Sequence, residues 1–396
     1  MTAPVYITGM ACLSGYGLTL DDLCHNLGEY PTCGQVVPAA GRAEAVACAL
    51  LPDFKESLAP YAKPMLRRKM SRLSKMAVTA VGDALAAAGL SGQDNSRCGV
   101  VLGTAFGSTA QSALFYGDFL DKGAMKVNPG YFPETVPNAP AGQISIIFGL
   151  QGPNTTVCQQ ALSSEHALAL AHDLLVTGMA HRLVVVGVEE MSPALLAGLQ
   201  ACGQLQRWTA AAGHEISLER RLRVGEAAVA LVLESRQGLE KRRGTGLARL
   251  HGVVTAGAAT WPAIYHEVGS SVSAVLGRLG SAACRRVEVI VAGASFVGRV
   301  DRQHVAALAE HLGDQLPVIL PEYGTGMLMG AGLLRTALAV HLVGGGELAC
   351  RALNRPLPER FLYSDLYDRQ VGRLDHALAT TVTPGGGAGA VLVGGL

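Results

Sequence analysis

The chain is poor in charge and in aromatic side chains, and this limits what it does. Charged residues make up 16% and aromatic residues 5% of its 396 residues, whereas 49% are apolar. Lysine and arginine total 32 against 31 aspartates and glutamates, so no net field favours nucleic acid or an acidic membrane. We therefore predict no nucleic-acid binding. Such a composition indicates either an unusually large core or apolar surface that another subunit covers.

Cysteine pairs and long apolar runs are also missing. The nine cysteines are an odd number without a C-x-x-C pair, which argues against a disulfide framework and a zinc site. We predict reduced cysteines, no metal and no cofactor. No apolar run is long enough to cross a bilayer, and the N-terminus lacks the basic start of a secretory signal. We expect a cytoplasmic protein without a membrane span.

The order of apolar runs predicts an α/β fold. Residues 29–52 are expected as a loop rich in proline and glycine, and Met65–Leu90 as one long amphipathic helix. The predicted strands are Val5–Gly9, Gly99–Gly103, Arg182–Val188, Ala227–Glu234, Val287–Ala292, Pro317–Leu320 and Ala388–Gly394; the other predicted helices are Thr109–Leu120, Leu162–Thr177, Gln303–Leu312 and Gly330–Val343. This alternation occurs twice. We therefore predict two duplicated halves, a largely parallel sheet, and domains at 1–246 and 247–396.

Short motifs follow one another in an order that resembles the β-ketoacyl synthases of the thiolase-fold superfamily. Ile7–Met10 is similar to that family's first strand, Arg67–Ala77 to its "RRMDRFSQYA" helix and Arg223–Ala228 to its "GEGAG" strand. Asn128–Ser145 and Gly149–Val157 are similar to the segments before its nucleophile. The resemblance covers nearly the whole chain. It implies a thiolase-like fold with αβαβα layers.

The family's condensation needs four side chains, and this sequence departs from each of them. The chemistry uses a cysteine thiolate at a helix N-terminus, two histidines that hydrogen-bond the enolate, and a lysine that orients them. The resemblance puts Ala161 at the nucleophile, Gly293 and Met327 at the histidines, and Glu322 at the lysine. It also puts Gly385 at the family's gating phenylalanine. These replacements imply a catalytically inactive member of the family.

Other residues near the nucleophile turn keep alternatives open. Gln160 takes the nucleophile position if the alignment shifts by one residue, and chain length factors of aromatic polyketide systems carry glutamine there. Cys158 is expected as a structural apolar residue. Ser163–His166 resemble a hydrolase set, but consecutive helical side chains fan out and cannot converge.

Resemblance to a chain length factor implies partners. Such a subunit forms a heterodimer with an active ketosynthase, and its bulky interface side chains close the acyl tunnel by excluded volume. We expect that partner, an acyl carrier protein and the growing acyl or polyketide chain. Candidates for the interface and the tunnel are Phe106, Phe115, Tyr116, Phe119, Tyr131 and Phe132. The same residues also fit the aromatic core of an ordinary dimer.

Three functions are therefore in contention. The first is a chain-length-factor-like subunit of a type II polyketide or fatty-acid-like system. The turn after Gln160 lacks the "EQAGG" pattern of aromatic systems, which favours a polyene-type system. The second is a divergent stand-alone acyltransferase or decarboxylase that acts on carrier-protein thioesters. The third is a homodimer that binds acyl chains.

Overall fold

The computed structural model describes residues 3–27, 35–38, 45–202, 207–208, 224–257, 268–295, 297–348 and 374–396. Strands and helices alternate through these ranges. The strands are β1 (Val5–Ser14), β2 (Gln35–Pro38), β3 (Ala45–Ala49), β4 (Gly99–Gly103), β5 (Asn154–Val157), β6 (Arg182–Glu189), β7 (Arg207–Trp208), β8 (Val224–Gly225), β9 (Ala227–Ser235), β10 (Ala248–Ala256), β11 (Val289–Ala292), β12 (Val318–Ile319), β13 (His376–Val382) and β14 (Ala388–Gly394).

The helices fill the intervals between these strands. They are α1 (Leu20–Asn26), α2 (Lys55–Leu58), α3 (Pro64–Arg67), α4 (Arg72–Ala87), α5 (Thr109–Lys122), α6 (Ala139–Phe148), α7 (Ser163–Val176), α8 (Pro193–Ala201), α9 (Arg236–Arg242), α10 (Val268–Leu279), α11 (Ser281–Cys284), α12 (Gly298–Leu312), α13 (Glu322–Thr325) and α14 (Leu333–Val343). Short 3-10 turns cover Pro129–Glu134, Gln160–Leu162 and Met329–Ala331. Within the described ranges, no helix is long and apolar enough to cross a membrane.

The strand order is the same in the two halves of the chain. The large sheet has the order β12-β11-β13-β14-β10-β1-β9-β6-β4-β5, and β2, β3, β7 and β8 form a small second sheet. Outward from the centre, β1-β9-β6-β4-β5 of the first half matches β10-β14-β13-β11-β12 of the second. β1 and β10 pair antiparallel where the halves meet. The sheet therefore contains the predicted duplication, while the boundary at residues 246 and 247 stays a prediction.

The helices form three layers around these strands. α4 packs on β1, β9 and β6 outside the first half, and α10 packs on β10 and β14 outside the second. α7 contacts β4, β6 and β10, and α14 contacts β13, β14, β9 and β1. The two middle helices therefore touch strands of both halves. This confirms the αβαβα layering.

The first turn of α7 lies unusually close to the sheet. A Cβ atom built on Gly103 would lie 2.6 Å from the carbonyl oxygen of Ser163, and one on Gly187 would lie 2.3 Å from Oγ of Ser164. The absence of side chains at these two strand positions is what lets the helix approach. This close contact fixes where the next residue of α7, Glu165, is held.

The prediction of a largely parallel sheet was wrong. Among the described strands of the large sheet, parallel pairing is confined to β4 with β5 and β6, and to β11 with β12 and β13. The central strands β6, β9, β1, β10, β14 and β13 pair antiparallel. Apolar runs that alternate with helices indicate where strands lie. They do not fix the direction in which neighbouring strands run.

The predicted helix Met65–Leu90 is divided into α3 and α4. Ser71, between them, has an extended backbone and caps α4 by accepting a hydrogen bond from the amide of Ser74. The buried carboxylate of Glu134 accepts hydrogen bonds from the amide and hydroxyl of Ser71 at 3.1 and 2.8 Å. The hydrogen bonds from Ser71 to Glu134, which is 63 residues away in the chain, thus interrupt the predicted helix between α3 and α4.

The predicted loop 29–52 contains two strands. β3 pairs with β2 and β7, and it also pairs with β8. Two of these partners, β7 and β8, come from distant parts of the chain, which local sequence does not reveal. Residues 28–34 and 39–44 lie outside the described residues.

Candidate functional site

The turn between β5 and α7 is strained. Gln160 has a φ of 51°, in the left-handed region that residues other than glycine rarely adopt. Its side chain is exposed, whereas the next residue, Ala161, is buried. The turn therefore presents an amide side chain outward and a methyl group inward.

The methyl group of Ala161 belongs to a small apolar cluster. Met327 and Met329 are members of the same cluster, which also contains Cys48, Met191, Leu195, Leu196 and Val224. Met329, like Gln160, has a positive φ, of 44°. The 3-10 turns that carry Ala161 and Met329 contact each other across the two halves. The sequence-predicted positions Ala161 and Met327 are thus brought together, and thioether and methyl groups surround them.

Beside this cluster, a buried guanidinium holds two carboxylates. Nη2 of Arg335 lies 2.7 Å from Oε1 of Glu165, and Nη1 donates to Oε1 of Glu322. The hydroxyl of Thr381 accepts from Nη2 at 2.6 Å and donates to Glu165. Glu165 lies on α7 of the first half, and Arg335 lies on α14 of the second. The ion cluster therefore ties the two halves together through their middle helices.

Gly293 lies directly against this guanidinium. A Cβ atom built there would lie 3.3 Å from Cζ and Nη1 of Arg335 and 3.3 Å from the carbonyl oxygen of Thr380. A side chain at residue 293 would therefore require Arg335 or the carbonyl group of Thr380 to shift slightly. Gly293 and Glu322 are thus brought together around Arg335, and none of the four sequence-predicted positions carries a thiol, an imidazole or an amine.

The charges in the cluster do not balance, because one guanidinium faces two carboxyl groups. Burial raises the pKa of Glu322, although the charge of Arg335 opposes the rise. Burial lowers the pKa of Arg335, but the charges of Glu322 and Glu165 outweigh this and leave the pKa raised. The arrangement is electrically neutral when Glu322 carries a proton and Glu165 is the counter-ion of Arg335.

A buried histidine lies on the other side of Gly293. Nε2 of His304 on α12 lies 3.0 Å from the hydroxyl of Thr380. Burial and the charge of Arg335 lower the pKa of His304 to about 3. The imidazole is therefore neutral in the folded protein.

We expect His304→Gln to weaken the acid sensitivity of folding. A pKa that folding lowers gives stability that is present above pH 6.5 and is lost as the pH falls. The loss through this group approaches about 1.4 kcal/mol per pH unit between pH 6 and 4. Urea unfolding at pH 7, 6 and 5 measures the slope. His311→Gln, an exposed position on the same helix, is the control; equal slopes in the two variants would contradict the assignment.

A cavity of about 750 Å³ opens above the strained turn. Its wall includes Cys158, Gln160, His166, Thr255, Arg278 and Gly385. Nη1 of Arg278 donates to the carbonyl oxygen of Thr255 at 3.0 Å. Partial burial and the charge of Glu189 raise the pKa of the Cys158 thiol, which disfavours the reactive thiolate. The cavity lies between the two halves and is polar in character.

The family model for the N-terminal domain of β-ketoacyl synthases matches residues 2–238. The chain belongs to this family. A Staphylococcus aureus 3-oxoacyl-[acyl-carrier-protein] synthase 2 is 28% identical over 213 residues, which are 51% of this chain and 51% of that protein. A Vibrio cholerae protein of the same name is 27% identical over 214 residues, 51% and 49% of the two chains. The chain thus spans about half the length of the curated relatives it matches.

Solved structures extend the similarity of this ketosynthase-family chain to its full length. A β-ketoacyl synthase from Burkholderia phymatum superposes with a TM-score of 0.82 at 21% identity, over 100% of both chains. The ishigamide ketosynthase/chain length factor gives 0.74 at 21% identity, over 99% of both chains. A type II ketosynthase complex with its acyl carrier protein gives 0.72 at 17% identity, over 100% of both. At these identities the likeness shows the thiolase-like fold alone.

The ketosynthase-family chain exposes an apolar face on α5. This helix has no buried residue. Tyr116 is 64% exposed, and Phe106, Leu114, Phe119, Leu120 and Phe132 are exposed as well. The ring of Phe115 packs 5.7 Å from Phe132 and 6.0 Å from Tyr116, and Tyr131 is half-buried. The predicted aromatic candidates thus form one surface around α5 and the 3-10 turn Pro129–Glu134.

Other candidates are dispersed. Ser163 donates to the carbonyl oxygens of Thr104 and Gln160, and Ser164 donates to that of Gly330. His166 lies 3.5 Å from Thr255, away from Glu165 and its partner Arg335. The side chains of Ser163–His166 therefore each bind different partners and do not converge. In the part of the chain that the structure describes, no three His, Cys, Asp or Glu residues are arranged to hold a metal ion.

Sequence reasoning missed Arg335, His304 and Thr381. A signal was available for Arg335, because it is the only residue with a full charge between Glu322 and the C-terminal end of α14. A lone arginine in an apolar helix indicates a buried counter-ion. His304 and Thr381 carry no comparable signal.

Proposed function

We propose that this chain is a non-catalytic subunit of the chain-length-factor kind. It pairs with an active ketosynthase in the cytoplasm and shapes the acyl tunnel in type II polyketide, including polyene-type, or fatty-acid-like biosynthesis. One observation carries the proposal. At the four positions where the family's reactive groups are expected, Ala161 and Met327 share an apolar cluster, and Arg335 occupies the space beside Gly293 and Glu322.

The exposed face of α5 supports a partner. Large apolar side chains on one helix are costly to leave in water, and contiguous ones mark interaction surfaces. β5 is the last strand of the large sheet, and its outer edge has no partner strand among the described residues. A ketosynthase that covers α5 and this edge would bury the exposed apolar side chains and shield the unpaired strand edge. Its acyl chain and its acyl carrier protein are then the further partners of the complex.

The alternative of a stand-alone acyltransferase or decarboxylase requires a nucleophile. Cys158 lines the cavity, but its pKa is raised, which is the opposite of what an acyl-accepting thiol needs. Gln160 has no nucleophilic atom at neutral pH. The observations therefore favour the non-catalytic role.

We expect no covalent acylation of this chain. Incubation with acyl- and malonyl-carrier-protein thioesters, followed by intact mass measurement, tests this. The chain should keep its mass, whereas a ketosynthase mixed with the same thioesters should gain an acyl group. A mass gain that disappears in Cys158→Ala would overturn the non-catalytic role and establish the enzyme alternative. Cys202→Ala, at another exposed cysteine, is the matched control.

A further inference from the structure

The side chain of Glu189 is fully buried at the end of β6, where it accepts hydrogen bonds from neutral groups. Its Oε2 accepts from the amides of Ala105 and Gly330 at 2.6 and 3.0 Å. Its Oε1 accepts from the amide of Phe106 at 3.1 Å and from the hydroxyl of Thr104 at 3.3 Å. Burial raises the pKa of Glu189 to about 7, and these hydrogen bonds oppose the rise because they stabilise the charged form.

These donors belong to two separate parts of the molecule. Thr104, Ala105 and Phe106 form the turn that leads from β4 into α5. Gly330 lies in the second half, next to the strained Met329. The hydroxyl of Ser164 holds the carbonyl oxygen of Gly330 while Glu189 holds its amide. Both backbone polar groups of Gly330 are therefore held by residues of the first half.

The two parts also touch through their side chains. Ala105 packs against the apolar cluster that contains Ala161, Met327 and Met329. A displacement of the turn that leads into α5 therefore reaches this cluster, in which Ala161 follows the cavity-lining Gln160, as well as the exposed aromatic face. Glu189 thus connects the cluster to the helix that we assign to the tunnel and the partner interface.

We propose that Glu189 is a positioning residue, which holds the start of α5 against the turn at Gly330 and thereby sets the length of acyl chain that the tunnel admits. The chain-length part of this inference rests on the proposed function. Glu189→Gln keeps the size of the side chain. Because each oxygen accepts two hydrogen bonds, the new amide nitrogen faces two donors whichever way it points.

Hydrogen exchange tests the positioning role in the purified chain alone. We expect either the amide of Phe106, or the amides of Ala105 and Gly330, to exchange about tenfold faster in Glu189→Gln, because the amide nitrogen replaces one of the two acceptor oxygens. Glu234→Gln is the matched control, since Glu234 is also fully buried and binds Arg182 and Arg242 at the opposite end of the same strand pair. Unchanged exchange at the three amides would overturn the positioning role, whatever the chain does in the cell.

Product analysis tests the link to chain length. The variant is co-expressed with an active ketosynthase and carrier protein, and the lengths of the released acyl chains are compared with those from Glu234→Gln. We expect a shift in the main chain length at an unchanged yield of complex. Faster exchange with unchanged product lengths would overturn the link and leave the proposed function standing. If even the wild-type pair makes no product, the proposed function fails and the link with it, while exchange still decides the positioning role.

Discussion

Tyr116→Asp is expected to weaken association with a ketosynthase strongly. The ring is 64% exposed in the free chain and packs against Phe115 within the aromatic surface on α5. Burying a carboxylate in an apolar interface carries a desolvation penalty, because the charge loses its hydration. Removing an aromatic anchor from an interface also reduces the binding free energy by about 2 kcal/mol or more. We expect affinity to fall by about 100-fold. Co-purification with a tagged ketosynthase, followed by mass photometry for a 1:1 complex, measures the loss.

The control for this variant is Met179→Asp. Met179 is 73% exposed and lies between α7 and β6, away from α5. Both substitutions leave the core intact, so both chains should unfold at the wild-type temperature. Equal loss of binding in the two variants would show that the effect is not specific to α5. A wild-type chain that forms only a homodimer, dissociated by Tyr116→Asp, would contradict the heterodimer and favour the acyl-binding homodimer.

Arg335→Met is expected to destabilise the fold severely. The substitution preserves most of the apolar volume but leaves Glu165 facing Glu322 without their shared cation. Breaking a buried ion pair from one side costs about 3–5 kcal/mol, because the remaining charge is buried without compensation. Urea unfolding of the purified chain gives the difference in the free energy of unfolding. Arg236→Met, which removes an exposed pair with Glu240, should change it by less than about 0.5 kcal/mol.

Single carboxamide variants separate the two glutamates. Glu322→Gln should cost less than Glu165→Gln, because the raised pKa of Glu322 means that this group already tends towards its neutral form. Combining Arg335→Met with both glutamine substitutions should recover part of the lost stability, since no charge is then left unpaired. If Arg335→Met alone unfolds at the wild-type urea concentration, the ion cluster does not hold the halves together. If that variant does not fold at all, the order of the two glutamine variants still tests the charge assignment.

Apolar patterning predicted much of the fold. β4 and β14 have the bounds that the sequence predicts, and β6, β9 and α7 differ by a residue or so at their ends. These elements are buried on both faces, so continuous apolar runs mark them well. β10 was missed because Arg249 and His251 interrupt its apolar pattern. α12 starts at Gly298, before the predicted Gln303, since its first turn is polar.

The candidate site was accessible from the sequence only in part. Family spacing predicts the positions Ala161, Gly293, Glu322 and Met327, and the structure brings them together as two pairs, Ala161 with Met327 and Gly293 with Glu322. Nothing local indicates that Arg335 joins Glu165 to Glu322, because these residues are 170 and 13 positions from it. Likewise, Glu189 lies in an apolar strand and receives its hydrogen bonds from the 104–106 turn and from Gly330, 141 residues away. Polar contacts between distant residues depend on how the two halves pack together. The apolar periodicity of the sequence predicts local helices and strands and does not predict this packing.

The missing Cβ of Gly293 makes the present arrangement hard to reverse. A Cβ atom at this position would lie 3.3 Å from the guanidinium, so a larger residue requires Arg335 to shift, and overpacking of this kind costs about 1–3 kcal/mol. Replacing Arg335 first leaves Glu165 and Glu322 buried without their shared cation. Either single replacement is therefore destabilising. The glycine thus disfavours a stepwise return to a larger side chain at position 293.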